Sequence, residues 1–316
     1  MPLLPLRFSP AFKTMLWGGT RLRPYFGQPP SDEPTGEAWV LSDVDGTESI
    51  VANGPFKGRT LRQVLSEHRK EILGSAKLIN GRFPLLLKFI DAKQALSVQV
   101  HPNDERAAAK KPGQNGKTEA WVVLAATPES KLYTGFVDGM TEARFRKSLA
   151  SKTVAETLHT FTPTVGECLF LEAGTVHAIG AGLMMFEVQQ TSDITYRLYD
   201  WDRVDAKTGK PRELHVDDAL ACSHFASGPC LPVVPVKDGD WDVLVDCEYF
   251  TLRHINAMSP ITVRTNAAKA IVCIQGSGTV SGEPVKMGDT VLIPACLGKY
   301  DLIPDSSMRV LECGVV

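Results

Sequence analysis

The sequence predicts a mainly β protein, organised as two β-barrels or sandwiches with a few short helices, and three observations carry that prediction. Short runs rich in Val, Ile, Thr and aromatic residues recur at 84–90, 95–101, 119–125, 168–171, 184–190, 243–247, 250–255, 270–274, 290–293 and 308–313, broken by Gly and Pro. Strands so closely spaced, without regular helices between them, argue a sandwich or barrel. The segment SHFASGPCLPVVPVKDGD, residues 223–240, is rich in Pro, Gly and Ser and reads as a linker or crossover. Finally, GECLFLEAGTVHAIG (166–180) and GDTVLIPACLGKY (288–300) share one rhythm: Gly, an acidic residue, an apolar strand, then a turn of small residues. The resulting division is an N-terminal part over 1–222, a connection over 223–240 and a C-terminal part over 241–316.

Helical signal is confined to three places. Residues 60–73 space Leu61, Val64, Leu65 and Ile72 along one stripe, with Thr60 as the cap. Residues 141–149 form a second short helix capped by Thr141, and 211–222 a third with Pro211 at its start.

Composition excludes several classes of function. The 316 residues are 43% hydrophobic and 22% charged, with a net charge of -2 and no basic cluster long enough to follow phosphates, which argues against nucleic-acid binding. The N-terminal MPLLPLRFSPAFK lacks the continuous apolar core of a secretory signal, and no run approaches the roughly 18 apolar residues of a membrane span. Seven cysteines, scattered and odd in number, fit reduced thiols in a cytoplasmic protein better than a disulfide scaffold or a zinc ribbon. The expectation is a monomer or weak homodimer without membrane or nucleic-acid partners.

One stretch has a polar strand face. In ALSVQVHPND (95–104), Leu96, Val98 and Val100 alternate with Ser97, Gln99 and His101, so period two puts those three polar side chains on one side. Such a face is either the wet side of an edge strand or the wall of a site. Glu119 opens a later strand in GKTEAWVV, and His177 follows the strand at 166–171. Two imidazoles and a carboxylate are a common donor set for zinc or another divalent ion, with positions left for water or substrate. Gln99 could add an amide oxygen. Taken alone, a histidine here is more often a hydrogen-bonded core or surface residue, and Gln99 a solvated strand residue.

The internal pair 166–180 and 288–300 resembles the second conserved stretch of cupins, in which a glycine opens a strand and a turn presents histidine to a jelly-roll barrel. Aligning Gly166 with Gly288 places His177 on Lys299. A lysine ammonium has no lone pair to offer a metal. Two cupin-like barrels follow from the resemblance, with the chemistry in the first and a structural role for the second.

Longer motifs narrow the family. PLLLKFIDAKQALSVQVHPND resembles the signature of class I phosphomannose isomerases, a lysine-bearing apolar strand followed by L-S-x-Q-x-H-P. GKTEAW resembles their K-P-E segment with Thr118 in place of proline, and EAGTVHA resembles P-A-G-x-x-H-A with Glu172 in place of proline. TSDITYR resembles S-D-N-x-x-R, here Ser192, Asp193 and Arg197, and MLWGGTRLR matches the W-G-G opening that contains Trp17. The matches run in family order from about residue 16 to 203. In one place the chain departs, continuing LYDWDR where longer members read A-G-x-T-P-K, so no role of that segment carries over.

The resemblance implies one zinc, or another divalent ion, per chain, held in the first barrel by Gln99, His101, Glu119 and His177. It also implies interconversion of mannose 6-phosphate and fructose 6-phosphate. An aldose–ketose isomerase opens the ring, removes a proton from C2 and returns one to C1, and negative charge develops on oxygen between those steps. A metal with open positions and Arg197 can both stabilise that charge. Lys117, two residues before Glu119, would point the same way and serve as general base or acid, and Asp193 could assist ring opening. Lys88, Ser97 and Trp17 are the candidates for substrate binding. Lys88 lies in the apolar run PLLLKFI and needs an anionic partner, either substrate phosphate or another side chain. Trp39 and Glu37 could also line the site. Two readings compete with the isomerase. A different metal-dependent cupin, such as an oxygenase, would not need Lys117 and Arg197 beside the metal. A non-catalytic sugar-binding cupin would be free to lose the ligands or Lys117.

Overall fold

The computed structural model describes residues 3–205 and 208–316, and among them three antiparallel sheets carry the architecture. A six-stranded sheet runs in the order Cys168–Leu171, Glu119–Ala125, Leu183–Gln190, Leu85–Ala92, Ala11–Gly19, Thr35–Leu41. A five-stranded sheet runs Tyr196–Tyr199, Val98–Val100, His177–Ile179, Leu132–Phe136, Leu158–Phe161. These two enclose the first barrel. A ten-stranded sheet, dominated by Lys269–Val280 and the 17-residue strand Lys299–Val315, makes the second. The protein is therefore mainly β with a few short helices, as its sequence predicts.

Side-chain alternation explains why several strands read as continuous apolar runs. Along Leu85–Ala92 all eight residues are buried. Leu85, Leu87 and Phe89 join a core shared with the second barrel, formed with Ala270, Val272, Leu292 and Leu311. Ile90 and Ala92 point the other way, into the first barrel with Trp17, Trp121 and Met185. A strand covered on both faces shows no apolar–polar alternation. Val98 and Val100 face outward, packed with Phe136, Phe145, Leu198 and Leu220 beneath the helices Glu142–Ser151 and Val216–Cys222. Gln99 between them must face inward.

Two helices fall where expected. Leu61–Leu73 starts behind Thr60, whose hydroxyl accepts from the Gln63 amide in a reciprocal capping box, and Glu142–Ser151 is capped by Thr141. The third begins later than predicted: the helix is Val216–Cys222, while Pro211 bridges to Val204. Residues 211–215 are held extended because Arg212 is tied to Asp200 and the His215 amide donates to the Arg197 carbonyl at 2.8 Å. A further helix, Asp104–Lys110, follows Asn103, whose side chain caps Arg106 N–H.

The division at 222 and 240 is crossed twice. Leu6–Ser9 pairs with Thr290–Ile293 and brings Ile50–Val51 with it, so the N-terminal segment belongs to the C-terminal sheet. Val236–Asp238, inside the predicted connection, already pairs with Trp241–Asp246. The internal repeat appears in the backbone, with Gly166 and Gly288 at φ of 95° and 94°. A left-handed turn of this kind favours glycine. Lys299, the counterpart of His177, is exposed at the end of its turn. Inside the second barrel the fully buried Glu312 is satisfied by Arg253, at 3.0 and 2.7 Å, and by the Tyr300 hydroxyl. An ion pair thus lies within that interior, beside the apolar cluster of Ile255, Ile271, Val291 and Val310.

Candidate metal centre

Three strands and one turn bring the ligand candidates together. Ser97, Gln99 and His101 occupy the inward face of their strand and its exit. In register, Gln99 sits opposite His177 on one side and Arg197 on the other. From the facing sheet, Glu119 projects inward while Ala120 and Val122 pack outward. The donor atoms of His101, Glu119 and His177 all lie within 4.8 Å of one another, and the three residues are at most 2% exposed.

The hydrogen bonds around the imidazoles fix which nitrogen is presented. His101 Nδ1 lies 2.8 Å from the Ile194 carbonyl, and His177 Nδ1 lies 2.9 Å from the Thr175 carbonyl. Each Nδ1 is therefore the N–H donor, and each Nε2 lone pair is directed at the shared point. His177 Nε2 is 3.3 Å from Glu119 Oε1 and His101 Nε2 is 3.7 Å from Glu119 Oε2. Glu119 Oε1 is buried without a hydrogen-bond donor, and Oε2 has only the Lys117 ammonium, 2.7 Å away. A buried carboxylate with one oxygen unpartnered, facing two imidazole lone pairs, is a costly arrangement unless a further cation joins the three groups. These residues fit a divalent metal. Gln99 reaches the same point through its amide, with Nε2 3.3 Å from His177 Nε2 and Oε1 3.5 Å from Ser97 Oγ, so a turn of the amide would present its oxygen as a ligand.

Charge around the point is dense and internally paired. Lys117 Nζ is 2.7 Å from Glu119 Oε2 and 3.2 Å from His101 Nε2. Lys88 finds its anionic partner in another side chain, Glu187, at 3.2 Å. Burial opposes its charge, but Glu187, with smaller contributions from Glu37 and Asp193, holds the Lys88 ammonium above its ordinary value. Glu187 also accepts from Trp121 Nε1 at 3.0 Å, and although burial opposes it, Lys117 and Lys88 hold its carboxyl down to about 2. Sequence reading did not single out Glu187. The signal that places it is register, since Glu187 lies directly opposite both Lys88 and Trp121.

Burial, with added repulsion from the charges of Lys117 and neighbouring His177, pushes His101 well below the usual imidazole range, and burial lowers His177 to about 4. Both are neutral near pH 7, as metal ligation requires. Burial pushes Glu119 up to about 7, with Glu187 adding to the effect and Lys117 offsetting part of it. Metal uptake below that value must displace a proton from Glu119, and above it need not. Calorimetric titration with a divalent metal in buffers of different ionisation heat is expected to show about one proton released at pH 6 and close to none at pH 8, with weaker apparent affinity at pH 6. Equal proton release at both would place the titrating group elsewhere.

His101, Glu119 and His177 lie behind Gln99, Lys117 and Glu187, which surround them and line a cavity of about 500 Å³. Its walls include all three predicted catalytic residues, Lys117, Asp193 and Arg197, all three predicted substrate residues, Trp17, Lys88 and Ser97, and the ligand candidate Gln99. Glu37 and Trp39 line it too, with Trp39 Nε1 donating to Glu37 at 2.6 Å and the Trp39 ring lying beneath Lys13 and Lys88. Gly18 lets Trp17 lie there, because a Cβ at Gly18 would meet the Gly36 nitrogen at 2.5 Å. Asp193 is exposed at the rim. Arg212, which the sequence reading had placed inside a helix, also lines the cavity. Among the described residues no helix is long and apolar enough to cross a membrane.

Comparison with known proteins gives a consistent result. The phosphomannose isomerase type I catalytic domain matches residues 5–136. The mannose-6-phosphate isomerase ManA of Bacillus subtilis is 37% identical over 306 residues, covering 94% of this chain and 95% of that protein. A crystal structure of mannose 6-phosphate isomerase from Bacillus subtilis superposes with a TM-score of 0.88 at 30% identity, over 98% of this chain and 99% of that one. A mannose 6-phosphate isomerase bound with zinc and yttrium shares the fold at a TM-score of 0.76 and 18% identity, over 98% of this chain and 99% of that one.

Proposed function

Because this chain belongs to the type I phosphomannose isomerase family, we propose that it is a metal-dependent aldose–ketose isomerase that interconverts mannose 6-phosphate and fructose 6-phosphate. The observation that carries the reading is the convergence of His101, Glu119 and His177 on one point, beside a cavity lined by Lys117, Lys88 and Arg197. An oxygenase would have no use for Lys117 and Arg197 beside its metal, whereas an anionic sugar whose oxygens gain charge does.

We assign zinc as the metal. A neutral His pair with one carboxylate is a common zinc set, and a fold neighbour is bound with zinc. His101, Glu119 and His177 would hold it, with Gln99 as the fourth protein donor, and the bound ion would supply Lewis-acid polarisation of the sugar oxygens. Lys117, whose Nζ lies 3.2 Å from a ligand nitrogen, is the group placed for proton transfer: as the neutral amine it takes the proton from C2, becomes ammonium, and returns a proton to C1. Arg197 offers its guanidinium to oxygen that becomes negative, and Asp193 at the rim moves a proton during ring opening. Trp17, Ser97 and Lys88 form the sugar-facing wall. Lys88, fixed and neutralised by Glu187, serves there as an N–H donor to a sugar hydroxyl. All seven cysteines are free thiols, which supports a cytoplasmic enzyme.

A coupled assay that detects fructose 6-phosphate on addition of mannose 6-phosphate tests this reading. Turnover is expected. Binding of the sugar phosphate without product would leave a binding protein in its place.

A further inference from the structure

The two barrels do not close on each other along the whole of their shared face. The sheet of the second barrel presents Leu244, Leu252 and Leu311 to the first, in a core that includes Val122 and Val188. His254 lies opposite both Asp242 and Leu311, and Arg309 precedes Leu311 by two residues, so these three polar side chains stand on the same packed face. Where they interrupt the apolar layer a second cavity opens, of about 530 Å³, and it shares no lining residue with the substrate cavity. Val122, Leu124 and Met184 line it from the first barrel, and Leu244, Ile274 and Met287 from the second. Val165 and Met287, both exposed, mark its opening to solvent.

One charge in this cavity is unanswered. Arg309 makes no ion pair with any described residue; its Nη1 donates to Gln275 at 3.4 Å, and its Nε is buried without a partner. Asp242, the carboxylate that lines the same cavity, is committed elsewhere, to Lys237 at 2.8 Å and to His254 at 3.7 Å. Burial and the charge of Arg309 hold His254 below the ordinary imidazole value although Asp242 opposes them, so its ring adds no charge near pH 7. Lys237 and Asp242 cancel, and the guanidinium of Arg309 remains. A mostly apolar hollow with one placed cation is the usual form of a small-molecule site. The planar fork of a guanidinium matches a carboxylate.

We propose that the cleft between the barrels binds a small amphipathic carboxylate, its apolar body among Val122, Leu124, Met184, Leu244 and Ile274 and its carboxylate on Arg309. No group of the metal centre or of the substrate cavity takes part, so the site stands or falls apart from the isomerase reading.

Octanoate is the probe, with octanol as its uncharged counterpart. Calorimetry on the full chain is expected to show octanoate binding that weakens about 10- to 100-fold in R309Q, the loss expected for charge-assisted hydrogen bonds to a carboxylate. Octanol is expected to bind the wild type at least about 10-fold more weakly than octanoate, and to bind R309Q within about twofold of the wild type. Turnover of mannose 6-phosphate by R309Q is expected to stay within about twofold of the wild type, since Arg309 lies outside the substrate cavity. Should R309Q fail to fold, the wild-type chain still answers, through the octanoate–octanol difference and through labelling. A photoactivated, diazirine-bearing octanoate analogue, read by peptide mass, is expected to label residues 122–125 or Leu244. No octanoate binding, equal octanoate affinity in a folded R309Q, or label confined to the substrate cavity would overturn the site and leave the isomerase standing. Octanoate held through Arg309 in a chain that makes no fructose 6-phosphate would support the site and sink the isomerase.

Discussion

His101→Ala is expected to lose its bound metal and to retain less than about a thousandth of wild-type turnover, since Lewis-acid stabilisation supplies several kcal/mol at the transition state. The loss follows from how the imidazole is held. Its Nδ1 is committed to the Ile194 carbonyl at 2.8 Å, so Nε2 has one direction available and cannot be replaced by a neighbouring side chain. Alanine leaves Glu119 and His177 with only the weakly donating Gln99 amide beside them, and the unpartnered Glu119 Oε1 loses one of the groups that share the ion. Metal analysis by mass spectrometry and the coupled assay check both halves of this result. A His101→Ala chain that keeps its metal and its rate would show that the ion is held elsewhere.

Lys117→Ala is expected to fall about 100- to 10,000-fold in turnover, the usual range for removal of a general acid–base, while metal content stays at that of the wild type. Lys117 is only 4% exposed and contacts Glu119 at 2.7 Å and His101 at 3.2 Å, so it could instead be a structural counter-charge for the ligands. The two roles separate in the metal content. A counter-charge for Glu119 becomes dispensable once a divalent ion is bound, so the account requires full occupancy in the variant. Loss of the metal together with the rate would make Lys117 a structural residue and pass the proton-transfer role to another group.

Much of the site was legible in the sequence because period-two alternation is a strong constraint on a strand with one packed face. Val98 and Val100 have an apolar layer to fill, which forces Ser97, Gln99 and His101 to the opposite side. The edge-strand alternative fails because Val98–Val100 is paired on both sides, with Tyr196–Tyr199 and with His177–Ile179. Motif spacing brought Glu119, His177, Lys117 and Arg197 to the same place. Glu187 was not legible, since MFEVQQ carries a single acidic residue whose meaning depends on lying opposite Lys88 and Trp121 in strands about 100 and 66 positions earlier in the chain. Arg212 was obscured by propensity: PRELHVDDALAC has a proline start and a helical tail, but the Arg212–Asp200 ion pair and the Pro211–Val204 bridge outweigh helix formation over its first five residues. The return of Leu6–Ser9 to the C-terminal sheet is a long-range pairing with no local signature.

The central claim is that one metal, held by His101, Glu119 and His177, makes this chain an isomerase. Its most direct test is the return of zinc to chelated protein while fructose 6-phosphate formation is followed. Turnover is expected to be lost on chelation, to rise in proportion to added zinc and to level off at one equivalent per chain, the capacity of the single three-ligand group among the described residues. Full turnover in the chelated protein would contradict the account.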